Sequence, residues 1–200
     1  MRKKVRIYGT LGPACAERGT LEKMILEGMG GVRLNLSHTL LEDASELIEA
    51  YRDASKACAA EPELLIDMQG PELRIGALEE PMLLEEGAQI AAHSLCLPQE
   101  VSAVLDALPL GAELLLDDGK LLLVKAASMH LRVVRGGVLE SRKSAALPGV
   151  EIKTPAMTES DIINIKKASS FGVSAVMQPF VRGKDDLLAV RAALDSAGLE

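Results

Sequence analysis

The feature that most restricts the fold of this 200-residue chain is a change of rhythm along it. From Lys4 to Gly70 short apolar runs alternate with segments of helical period. Lys4 to Thr10 is the first run, and Thr20 then stands at the head of a segment with Leu21, Met24, Ile25 and Gly28 on one helical stripe. After a Gly-Met-Gly-Gly turn, Val32 to Leu36 reads as a second strand. From Thr39 a long helix carries Ala44, Leu47, Ile48, Tyr51 and Ser55 on one face, with Glu42, Asp43, Glu49 and Asp53 largely outside it. Pro62 ends that helix, and the run Glu63 to Gly70 is a third strand that finishes in polar residues. The order βαβαβ calls for a parallel sheet with helices on its outside.

From Gly76 to Leu147 the rhythm is different. Short β-prone runs are punctuated by glycine turns with almost no helical periodicity, and Asp118-Gly119 between two leucine-rich runs is a strong hairpin signal. The reading is a small antiparallel β domain inserted after the third strand. The α/β rhythm returns with Thr158 as a helix cap and Asp161 three residues on, a capping box with Asp where Glu is usual. Ile162, Ile165 and Ser169 mark that helix's buried side, Ser174 to Phe180 is a fourth strand, and Asp185 to Ser196 is a last helix closed by Gly198.

Composition narrows the function. A net charge of -7, no Trp, two Tyr and two Phe leave neither a basic groove nor stacking platforms for nucleic acid. No apolar run approaches the roughly 18 residues of a membrane span, and the basic start is followed by too few apolar residues for a signal peptide. The expectation is a cytoplasmic chain without membrane or nucleic-acid partners. Cys15, Cys58 and Cys96 have no paired spacing and fit reduced, structural thiols.

In a parallel α/β sheet or barrel the ligand sits beyond the carboxyl ends of the strands. There the second strand puts Arg33, Asn35 and Ser37 on alternate positions, so one face carries a cation, an amide and a hydroxyl. Together with Asp67 they offer an oxygen donor set suited to a hard cation, and a single carboxylate among neutral oxygens favours a weakly charged ion over a divalent one. Arg33, Arg74 and Lys143 are cations suited to phosphate. Plainer readings stand beside these: Ser37 or Thr39 as a cap of the next helix, His38 as a local hydrogen-bonder, Arg74 paired with Glu72, Lys143 in a solvated basic turn, and Asp117 and Asp118 as turn residues.

Six stretches in order, GTLGPAC, VRLNLSH, DMQGPELRIG, LLDDGKLLL, KSAALPG and TPAMTESDI, resemble in sequence and spacing the motifs of the pyruvate kinase family. The resemblance covers nearly the whole chain and implies a partial (β/α)8 TIM barrel of about four βα units: residues 1–75 and 148–200 in the barrel, residues 76–147 in the inserted β domain. It implies phosphoryl transfer from phosphoenolpyruvate to ADP, with potassium and magnesium as cofactors. By motif, Arg33 resembles the arginine that contacts the transferred phosphoryl group. Asn35, Ser37 and Asp67 match potassium ligands, and Met68 stands where the family has a threonine ligand, its hydroxyl gone and its backbone carbonyl remaining. Asn35, His38, Arg74 and Lys143 fall on positions used around the nucleotide.

The family's phosphoryl-facing lysine and its magnesium carboxylates have no counterpart in these residues. Gln69, Ala146 and Pro179 replace a family lysine, asparagine and serine. The expectations are therefore a chain without turnover by itself and, because four strands leave two unpaired edges, a homo-oligomer or a complementing half-barrel. The alternative is a noncatalytic assembly or ligand-binding module.

Overall fold

The computed structural model describes residues 5–37 and 39–199. His38, and Lys4 at the head of the first apolar run, lie outside the described residues. Along the chain the elements are β1 (Ile7–Thr10), α1 (Arg18–Leu26), β2 (Met29–Asn35), α2 (Ser45–Ala57), β3 (Glu63–Asp67), β4 (Met82–Leu84), β5 (Gln89–Ala91), α3 (Gln99–Leu105), β6 (Glu113–Leu116), β7 (Leu121–Ala127), β8 (His130–Arg135), β9 (Gly137–Leu139), β10 (Ala145–Ala146), α4 (Glu159–Ala168), β11 (Ala175–Met177) and α5 (Lys184–Ser196). The fold is mixed α/β, with one parallel sheet and two antiparallel ones. Two compact units divide the chain, one of Met1–Pro71 with Pro155–Glu200, the other of Glu72–Thr154.

The first unit holds the parallel sheet, in the order β1-β2-β3-β11. Val32 and Leu34 of β2 and Leu64 and Ile66 of β3 are buried, in one core with Leu21, Ile25, Ile48, Tyr51 and Ala54 of the helices. Alternation then puts Arg33, Asn35 and Asp67 on the opposite face. Gly31 has to be glycine: a Cβ there would lie 2.6 Å from the Glu63 carbonyl oxygen and 2.7 Å from the Tyr8 ring.

Several element boundaries differ from the sequence reading. Helix α1 begins at Arg18 with Glu17 as N-cap, so Thr20 lies inside it. Strand β2 already begins at Met29, because Met29 and Gly31 pair in the ladder, with Gly30 at an irregularity between them. Helix α2 starts at Ser45 rather than Thr39. The Asp43 carboxylate takes the Leu40 amide (3.2 Å) and Asn164 takes the Leu41 amide (2.9 Å), so these donors are satisfied outside a helix. On α4 the buried residues are Asp161, Asn164, Ile165 and Ala168, while Ile162 is exposed.

The second unit contains a five-stranded antiparallel sheet, β10-β6-β7-β8-β5, and the pair β4-β9. Its core extends past residues 76–147, taking in Leu73 and Ile75 on one side and Val150 and Ile152 on the other. Apolar burial thus moves the limits of this unit to Glu72 and Thr154. Asp117, Asp118 and Gly119 all take positive φ (48°, 55° and 80°) in the turn between β6 and β7. The unit also contains α3, a helix of seven residues that buries Val101 and Leu105. Lys125 is buried on β7, and its Nζ donates to the carbonyls of Asp106 and of Leu108 (2.7 Å).

Candidate functional site

The parallel register sets the geometry at the carboxyl ends of the strands. Asn35 of β2 lies opposite Asp67 of β3, and Asp67 lies opposite Met177 of β11. The sheet therefore ends evenly, with an amide and a carboxylate side by side. Asp67 is 8% exposed, and its Oδ2 accepts from Arg33 Nε (2.8 Å) and from Arg33 Nη2. A carboxylate this buried requires a partner, and Arg33, two residues before Asn35 on the same face, supplies it.

Asn35 Oδ1 accepts the Ser37 amide (3.0 Å), which folds the chain back at the end of β2 in an Asx turn. The Leu36 amide donates to the Asp67 carbonyl (2.9 Å), extending the ladder one residue past the strand. Arg33, Asn35, Ser37, Asp67 and Met68 thus lie together at the ends of β2 and β3. Asp67 is the one carboxylate among them, Asn35, Ser37 and Met68 carry neutral oxygens, and the carboxylate already shares its charge with Arg33. Such a donor set fits a monovalent cation. Among the described residues no three of His, Cys, Asp and Glu gather as a metal-holding group.

The Met68 side chain is 2% exposed and packs with Ile165, Val190 and Leu194. A side chain at residue 68 enters the apolar cluster, so the backbone carbonyl is the group Met68 can offer.

Sequence reasoning missed the residues that hold this end of the sheet in place. Asp161, 1% exposed, accepts four hydrogen bonds: from the Gln69 amide (2.8 Å, Oδ1), the Gly70 amide (3.0 Å, Oδ2), and the Thr158 amide and hydroxyl (both 2.9 Å, Oδ2). The sequence signals only the capping box, which forms; the two bonds to the loop after β3 span about ninety residues and leave no local pattern. Asn164, 2% exposed, anchors the loop after β2 through Leu41. Gly70 (φ +65°) packs so closely on Pro179 that a Cβ would stand 2.6 Å from its ring.

Arg74 and Lys143 belong to the second unit, where they lie near each other: Arg74 bridges Ser144, and the Ile75 amide donates to the Lys143 carbonyl (2.9 Å). Arg74 pairs with Glu72 and donates to the Arg142 carbonyl (2.9 Å). Lys143 lies between Glu140 (3.1 Å) and Asp117 (3.3 Å), hydrogen bonds that raise its pKa. The Asp117 carboxyl is held below its usual range by Lys120 first and Lys143 second. Both cations have acidic partners within this unit.

The first unit is of the parallel α/β class, with an arginine-carboxylate pair and an amide at its strand ends. The family described as "Pyruvate kinase, barrel domain" matches residues 2–200. Over 98% of its length the chain is 31% identical to a pyruvate kinase of Geobacillus stearothermophilus, covering 36% of that protein. It is 30% identical to one from Corynebacterium efficiens over 99% of its length (44% of that protein) and 31% identical to human pyruvate kinase PKLR over 98% (38%). The chain belongs to the pyruvate kinase family, and it spans about two fifths of the length of the curated relatives it matches. Among the described residues no helix is long and apolar enough to cross a membrane.

Proposed function

We propose that the first unit is the opening part of a (β/α)8 barrel, with the β unit inserted after its third strand. In this reading the chain carries the potassium- and phosphate-contact side of a site that transfers a phosphoryl group from phosphoenolpyruvate to ADP in the cytoplasm. Arg33 contacts the phosphoryl group. Asn35, Ser37, Asp67 and the Met68 carbonyl hold potassium. Arg74, Lys143, His38 and Asn35 serve the nucleotide. Phosphoryl transfer is mostly positioning and charge neutralisation, and a potassium ion held by these residues would add positive charge to the site.

The observation that carries this reading is the Arg33–Asp67 pair opposite Asn35 at the end of the sheet. A phosphate that engages Arg33 competes with Asp67 for the guanidinium, and a cation on Asp67 neutralises the carboxylate that is left, so the two ligands support one another. Calorimetry of the 200-residue chain with phosphoenolpyruvate, with and without potassium, tests this. Binding strengthened by potassium and lost in Arg33→Ala is expected, and equal binding by that variant refutes the role of Arg33. The family's lysine and magnesium carboxylates have no counterpart in these residues, so the chain by itself is expected to give no pyruvate in a coupled assay with ADP, magnesium and potassium. Robust turnover refutes that expectation.

A second reading has its own observation. β1 and β11 are the outer strands of the parallel sheet, and Ile7, Met177, Phe180 and Val181 are exposed on or beside them. An assembly module that pairs through those edges, with a second copy or a complementing half-barrel, would show a doubled or mixed molar mass by light scattering and no phosphate binding.

A further inference from the structure

One peptide group joins the proposed cation site to the buried carboxylate of α4. The carbonyl of Met68 and the N–H of Gln69 belong to the same planar unit, and in a trans peptide they point in opposite directions. The Gln69 N–H donates to Asp161 Oδ1 at 2.8 Å. Fixing that N–H fixes the Met68 carbonyl on the other side of the plane. The carboxylate is 1% exposed, and the Gly70 amide and the Thr158 amide and hydroxyl hold its other oxygen. An ordinary capping box needs only the bonds within the helix turn; the bonds to Gln69 and Gly70 are additional.

We propose that Asp161 is a positioning residue for the monovalent cation, acting through the Met68–Gln69 peptide. The inference rests on the potassium site put forward above. A cation on the Met68 oxygen polarises the peptide and makes the Gln69 N–H a better donor. A carboxylate on the N–H in turn makes the carbonyl oxygen a better ligand. The two contacts strengthen one another although Asp161 never touches the ion. Gly70 is a built-in comparison: its amide also donates to Asp161, but the carbonyl of its peptide is that of Gln69, which is not among the proposed ligands.

The test is a titration of the isotope-labelled full chain with potassium chloride, against choline chloride at equal ionic strength, followed by NMR. In the wild type, potassium alone should shift the Asn35 side-chain amide, the Met68 carbonyl carbon and the Gln69 amide proton with one saturation curve, and should move Gln69 more than Gly70. Asp161→Asn should weaken the potassium response at Asn35 at least tenfold. Thr158→Ala removes the cap hydroxyl but keeps the bonds to Gln69 and Gly70, and should hold wild-type affinity within twofold even where its melting temperature falls. Equal affinity in Asp161→Asn, or an equal loss in Thr158→Ala, overturns the proposal. Should Asp161→Asn fail to fold, the wild-type comparison decides: a shift at Asn35 with Gln69 unmoved overturns it. No potassium response at Asn35 at all removes the cation site, and the proposal with it.

Discussion

Replacing Arg33 by Met probes the central pair while keeping most of the side chain's packing volume. In the wild type two N–H donors of Arg33 meet one oxygen of a carboxylate that is nearly buried. Breaking a buried pair by removing one partner costs about 3–5 kcal/mol. Here the Arg33 side chain remains one-third exposed (33%), so water reaches the site and the loss falls to about 2 kcal/mol. For a chain of this length that lowers the melting temperature by about 4–8 °C. Asp67→Asn removes the charge that needs the partner, so the double variant should be more stable than the sum of the single losses by about 1–2 kcal/mol. Potassium at ten times its Kd should return about 1.4 kcal/mol to Arg33→Met, and choline should not. Urea unfolding followed by circular dichroism gives all four corners of the cycle. Additivity within about 0.5 kcal/mol would refute the claim that the two side chains depend on each other.

Three further outcomes follow from contacts in the first unit. Met68→Thr places a hydroxyl among Ile165, Val190 and Leu194, and should cost about 1–3 kcal/mol in urea unfolding with no gain in potassium affinity. Gly31→Ala forces a methyl group into the Glu63 carbonyl and the Tyr8 ring, a loss of about 1–3 kcal/mol that Tyr8→Ala does not restore, because the Glu63 contact is backbone. Burial, with a smaller contribution from Tyr8, pushes the Tyr51 phenol up to about 12 from 10.0. Between those values the unfolded chain has lost a proton that the folded one keeps, so stability is full below pH 10 and declines as pH rises towards 12. Ultraviolet titration should show this late step, and Tyr51→Phe should remove it.

The parallel sheet was legible because its strands combine two local signals, an apolar alternation and a turn residue at each end. Val32, Leu34, Leu64 and Ile66 are buried where the alternation puts them. Helix α3 was not legible, because seven residues with two buried side chains scarcely differ from a strand in period. The start of α2 was misplaced for a different reason. Thr39 is a good cap by type, but the amides of Leu40 and Leu41 are taken by Asp43 and by Asn164, the second of them 123 positions away. On α4 apolar periodicity selected Ile162, whereas Asp161 and Asn164 go inside because each satisfies backbone donors from distant loops. Burial of a polar side chain depends on its partner, and the partner is set by tertiary structure.

That dependence also accounts for two departures from expected residue types. At the third position of a capping box Glu is usual, and its longer side chain reaches back to the cap amide alone. Asp161 is shorter by one methylene. From close to the α4 backbone it takes the Thr158 amide on Oδ2 and still turns Oδ1 to the loop after β3. Position 68 is governed by the same loop. With its peptide held from the Gln69 side, residue 68 contributes to the strand end through its carbonyl, and its side chain falls among Ile165, Val190 and Leu194. Apolar character is favoured there, and methionine fills the cluster without burying a hydroxyl. The pair forms a consistent design: Asp161 orients the peptide, and Met68 seals the face beneath it.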